Sequence, residues 1–156
     1  MGMIPLLLLG LQFASANPNS AGSIGFGACI GAPSGITGKI YLANDLATQF
    51  SFGGDLGQIG DVGLSLDVVY HLPSLNDPID GYSLPVYLGG GVAASSQVAQ
   101  QTNTYIGLRG VMGILLTTDG LPVEVYVETA PTVYVLGSSI SFSWGVDGQL
   151  GFRYYF

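Results

Sequence analysis

Apolar and polar residues alternate along most of this chain with a period of two, the repeat of a strand whose successive side chains point to opposite faces. Ile24, Phe26, Ala28 and Ile30 stand against Gly25, Gly27, Cys29 and Gly31. A second predicted strand, Ile36 to Leu42, puts Thr37, Lys39 and Tyr41 on its polar face, and a third sets Phe50 and Phe52 against Gln49, Ser51 and Gly53. The fourth is the clearest, with Val62, Leu64, Leu66, Val68 and Tyr70 alternating with Gly63, Ser65, Asp67, Val69 and His71. A fifth is expected from Leu84 to Ala93. In the sixth, Thr104 to about Leu116, Ile106, Leu108, Met112 and Ile114 oppose Tyr105, Gly107, Arg109 and Gly113. Val123, Val125 and Val127 oppose Glu124, Tyr126 and Glu128 in the seventh, and the pattern resumes weakly past Pro131. The last strand starts near Ile140 and sets Leu150, Phe152, Tyr154 and Phe156 against Gln149, Gly151, Arg153 and Tyr155.

Turn residues punctuate these runs: Pro33 with Gly35, Asn44-Asp45, Gly57 to Asp61, and the hairpin-type Thr118-Asp119-Gly120. Two connectors are longer, Leu72 to Ser83 and the polar loop Ser95 to Asn103. The glycines at 25, 27 and 31 mimic a phosphate-binding loop, but that motif needs a helix opening at the glycines, and Pro33 and Gly35 make a turn there instead. Eight strands in a meander predict an all-β fold, an eight-stranded antiparallel up-and-down barrel whose last strand closes on its first.

Composition decides which face turns outward. Charged residues are only 8% of the chain against 48% hydrophobic, where soluble domains carry about 25% charged residues. A water-facing barrel would need a more charged exterior. The expectation is therefore a transmembrane β-barrel, apolar side to lipid and polar side to a lumen, with Phe152, Tyr154 and Phe156 as the C-terminal insertion signal. Ile4 to Leu11, followed by Ala14-Ser15-Ala16, has the length and small-residue pattern of a signal peptide over residues 1–16, leaving 17–156 as a single domain.

Parity places all three cations, Lys39, Arg109 and Arg153, on inward faces, together with Asp67, His71, Glu124 and Glu128. An eight-stranded barrel has an interior just wide enough to be filled by side chains, and charges there are tolerable only when paired. A salt-bridged, non-conducting lumen is expected, with Arg109 and Arg153 facing Glu124 and Glu128 across neighbouring strands. Inward glycines would leave room for the large residues among them. Three basic residues build no nucleic-acid surface. Cys29 is alone and reads as a buried thiol, and nothing suggests a cofactor, a metal site or a catalytic residue. Ser65, Asp67 and His71 share a face, but residues four apart on one strand are separated by about 13 Å, too far for a base and its orienting carboxylate.

The segments Ile30 to Lys39, Asp67 to His71, Leu84 to Tyr87, Gly107 to Arg109, Val125 to Pro131 and Gly151 to Phe156 resemble, in the same order, those of a family of small eight-stranded bacterial outer-membrane β-barrels. The resemblance implies a fold, an outer-membrane location, and two partners, outer-membrane lipid and the barrel-assembly machinery. It implies no established activity. A structural, adhesion or partner-binding role, through surface loops or periplasmic turns, is the expectation; a barrel hydrolase and a soluble ligand-binding barrel are the alternatives.

Overall fold

A computed structural model describes residues 20–55, 58–72, 82–97, 103–118, 120–136 and 142–156. The described residues are all strand and turn, with no helix. The strands are β1 Ile24–Gly31, β2 Ser34–Tyr41, β3 Leu46–Asp55, β4 Gln58–Leu72, β5 Tyr82–Ser83, β6 Val86–Gln97, β7 Asn103–Thr118, β8 Leu121–Leu136 and β9 Phe142–Tyr155. Apart from the two-residue β5, which pairs beside the end of β7, these are eight long strands in one antiparallel sheet. Each pairs with its neighbour in sequence, and β1 pairs with β9, closing the barrel.

Closure is made by a continuous register from Gly25↔Tyr155 to Gly31↔Gln149. Phe156 extends it by donating its backbone N–H to the Ile24 carbonyl at 3.0 Å. One rim therefore carries Ile24, Phe156, the β2–β3 turn, the end of β4 and the β7–β8 turn. The opposite rim carries the remaining hairpin connections. At that rim the β1–β2 turn folds inward: Pro33 is buried, Gln149 Nε2 donates to its carbonyl at 2.8 Å, and Ser34 Oγ and Gly31 exchange two bonds of 2.8 Å. Gly31 holds φ at +135°, a region glycine adopts without penalty.

The alternation sorts the two faces as expected. Ile24, Phe26, Ile36, Leu64, Leu66, Leu108, Val127 and Phe152 are among the many large apolar residues left exposed outside, while Lys39, Glu124 and Arg153 are buried inside.

Several strand limits differ from the sequence reading. β8 runs unbroken through Pro131, because the β7–β8 register has no partners between Arg109↔Thr132 and Met112↔Thr129, the place where proline's missing N–H would fall. β4 begins at Gln58, inside the expected Gly57 to Asp61 turn, and pairs Asp61 with Gln97 of β6. β6 and β7 reach into the expected Ser95 to Asn103 loop, pairing Ser95↔Tyr105 and Gln97↔Asn103. Leu72, the expected start of the long connector, belongs to β4, the connector's last two residues Tyr82 and Ser83 form β5, and the fifth long strand starts at Val86 rather than Leu84. The signal-peptide reading of residues 1–16 lies outside the described residues, as does the expected start of the last strand at Ile140.

The lumen as the candidate functional site

Glu124 is the centre of one buried ion cluster. Directly opposite it on β9, Arg153 brings Nη1 to Glu124 Oε1 at 2.6 Å. Lys39, from β2 across the lumen, brings Nζ to Oε2 at 3.1 Å, and the Tyr155 hydroxyl donates to the same oxygen at 2.8 Å. Arg153 also donates from Nε and Nη2 to Thr37 Oγ1 at 3.1 and 2.9 Å, and its guanidinium carbon lies 3.9 Å from the Tyr126 ring centroid. One carboxylate thus answers two cations, each of which also lies against a tyrosine ring face, a favourable site for a cation.

Glu128 is the centre of a second cluster. Arg109 Nη2 reaches Oε1 at 2.8 Å, while Gln49 Nε2 and the Tyr87 hydroxyl donate to Oε2 at 2.6 and 2.8 Å. The other edge of Arg109 approaches Asp67, with Nε 3.2 Å from Oδ1, close as charges but not aligned as a hydrogen bond. Three cations and three carboxylates therefore occupy the interior, and the formal charge of −7 resides in the remaining acidic residues, all aspartates.

His71 touches neither glutamate directly but joins the Glu124 cluster through Tyr41, whose hydroxyl lies 3.5 Å from Glu124 Oε2. Its Nε2 lies 3.3 Å from the Tyr41 hydroxyl and its Nδ1 3.2 Å from the Asp45 carbonyl, and its ring packs beside Tyr41 and Tyr87 at the rim that carries Phe156. With Asp67 engaged by Arg109 and His71 by Tyr41 and Asp45, no Ser–His–Asp chain is built on this face of β4.

The glycines explain how so many large side chains fit. Gly25 faces Tyr155, Gly113 faces Tyr87 and Gly151 faces Tyr126 as direct cross-strand partners. A Cβ added at Gly25 would stand 2.7 Å from the Tyr155 ring, one at Gly151 would stand 2.6 Å from the Tyr126 ring, and one at Gly113 would run into Tyr87. Each tyrosine lies flat over the glycine opposite, which leaves the centre of the lumen to the charged groups.

Seven residues marked by parity, Lys39, Asp67, His71, Arg109, Glu124, Glu128 and Arg153, all lie inside the barrel with at most 7% of their surface exposed. Phe152, Tyr154 and Phe156 face outward, the last two with ring centroids 5.1 Å apart. The sequence reading did not include Gln49, Tyr87, Thr37 or Gln149 in the network. Gln49 and Thr37 carried the signal, since both sit at polar-face positions, whereas Tyr87 lay in a run whose parity the three glycines obscured.

No protein-family model, curated protein or solved structure matches the chain. What supports a functional reading is the geometry itself.

Proposed function

We propose that the protein is an integral outer-membrane barrel whose lumen is a structural plug, so that its work in the envelope is done by its rims and outer wall rather than by conduction. The observation that carries this reading is the inversion of its faces. The outer wall of the described strands is apolar almost throughout, while the three basic residues and their three carboxylate partners are buried inside. In water such a wall would be a liability, since monomeric soluble proteins rarely expose apolar patches beyond a few hundred Å². In lipid it is the surface a barrel needs, and a closed sheet leaves no unpaired edge within the apolar zone.

A water-soluble ligand-binding barrel would keep an apolar cavity inside. Here Arg153, Lys39, Tyr41, Tyr87, Tyr126 and Tyr155 fill the interior instead. Fractionation tests the proposal: the full chain should stay with outer membranes through carbonate and urea washes and be released only by detergent. Recovery in the soluble periplasmic fraction would overturn it.

A further inference from the structure

β9 extends past the end of β1. Its register with β8 runs from Val123↔Tyr154 out to Val135↔Phe142, but its register with β1 stops at Gly31↔Gln149, beyond which Ala32 N–H reaches the Gly148 carbonyl at 3.0 Å. Among the described residues, Phe142 to Asp147 are therefore paired on one side only. That is about 20 Å of open strand edge at about 3.3 Å per residue.

The two faces of this segment are uncrowded: a Cβ added at Gly145 or Gly148 would meet nothing within 4 Å. Among its described residues Phe142 to Asp147, the edge carries no lysine, proline or bulge, three of the usual protections against pairing. On its outer side stand Phe142, Trp144 and Val146, with Trp144, at 79% exposure, the most exposed large apolar side chain among the described residues. On its inner side stands Asp147, held by the Thr132 and Tyr134 hydroxyls. Asp61 lies near the same rim, and the three basic residues are each already paired with lumen carboxylates. On the membrane reading proposed above, an unpaired backbone cannot face hydrocarbon, which puts this segment outside the apolar zone, within reach of other proteins.

We infer that the free edge of β9 at Phe142–Asp147 is a strand-addition site for an extended segment of a partner protein that alternates basic with apolar residues. The backbone of the added strand would satisfy the open N–H and C=O groups. Its apolar side chains would lie against Phe142, Trp144 and Val146, and its lysines or arginines would point towards Asp147 and the acidic rim.

The test uses the full chain in detergent and a peptide alternating lysine and valine, with three comparisons. N-methylation of the central amides keeps every side chain but blocks the ladder, and should weaken binding by about tenfold or more, the loss of a few backbone hydrogen bonds. Replacing lysine by glutamate should abolish binding. In a Cys29→Ser background, Gly145→Cys should form a disulfide with a cysteine-bearing copy of the peptide, whereas Leu66→Cys, on a strand paired along both sides, should not. Equal affinity of the N-methylated peptide would reduce the site to electrostatic adhesion and overturn strand addition. Equal binding of the glutamate peptide, cross-linking at Leu66→Cys as readily as at Gly145→Cys, or no binding by the lysine peptide would each overturn the proposal.

Discussion

Arg153 and Glu124 face one another as direct cross-strand partners and meet at 2.6 Å, with neither side chain exposed to solvent. Glu124 also holds Lys39 at 3.1 Å, so removing its charge strands two buried cations at once. Breaking a buried pair by deleting one partner typically costs about 3–5 kcal/mol. Glu124→Gln should therefore be destabilised by at least that much in urea unfolding of the detergent-folded protein. A loss below about 1 kcal/mol, the level of an exposed pair, would show that solvent reaches the cluster.

The pair Arg109 and Glu128 invites a double-mutant cycle. Glu128→Leu alone leaves a guanidinium with only the poorly aligned Asp67 contact, and it also removes the acceptor of Gln49 and Tyr87. Arg109→Met combined with Glu128→Leu removes both charges with their desolvation cost. The double variant should be less damaged than the sum of the singles by about 1–3 kcal/mol, the range of coupling between contacting residues. Strict additivity would contradict the observed ion pair.

Gly151→Val should be costly because the Tyr126 ring occupies the place of the new side chain and is itself fixed by its 2.8 Å bond to Gln149. Overpacking of this kind costs about 1–3 kcal/mol. Tyr126→Ala should recover part of the loss when added to Gly151→Val, while Gly145→Ala, with open space around it, should be neutral. Equal melting temperatures for Gly151→Val and wild type would refute the tyrosine-over-glycine packing.

An outward charge separates the membrane reading from a soluble one. Leu66 is half-exposed near the middle of β4, flanked by Phe50 and Val92 on the neighbouring strands. If lipid covers it, Leu66→Arg should cost about 2–4 kcal/mol in bilayer refolding. If water does, the change should stay within about 0.5 kcal/mol, as for ordinary surface substitutions.

Conduction gives a fifth test. With tyrosines, Lys39 and Arg153 buried across the interior, purified monomer in a planar bilayer should give no large, stable single-channel currents. Their appearance would mean that the ion clusters open readily.

The faces of the strands were legible because a period of two fixes parity wherever hydrophobic and polar residues alternate, as from Val62 to His71. That Arg109 and Arg153 face Glu124 and Glu128 across neighbouring strands followed from parity and meander order, whereas the match of Arg153 to Glu124 needed the register. Lys39 with Glu124 followed from neither parity nor meander order, because β2 and β8 are not neighbours and meet only across the lumen of a closed barrel. Strand ends were the poorest reading. Pro131 looked like a stop, yet it sits where the β7–β8 ladder is already interrupted. Serines and glutamines after Ala93 looked like loop, yet hydrogen bonding to β7 carries them on as strand. In both places pairing with a neighbour overrode local composition.

The joining of β1 to β9 has a kinetic side. Every other ladder between long strands links neighbours in sequence, but this one brings Gly25 to Tyr155, and the entropy of closing a loop grows with its length. Until β9 arrives, the sheet has two free edges, and Glu124 lacks both Arg153 and the Tyr155 hydroxyl. The strand that closes the ring also delivers the guanidinium that neutralises the lumen, so ring closure and charge compensation should occur as one late, cooperative event. A chain arrested before β9 would be an open ribbon with an unbalanced carboxylate rather than a smaller barrel.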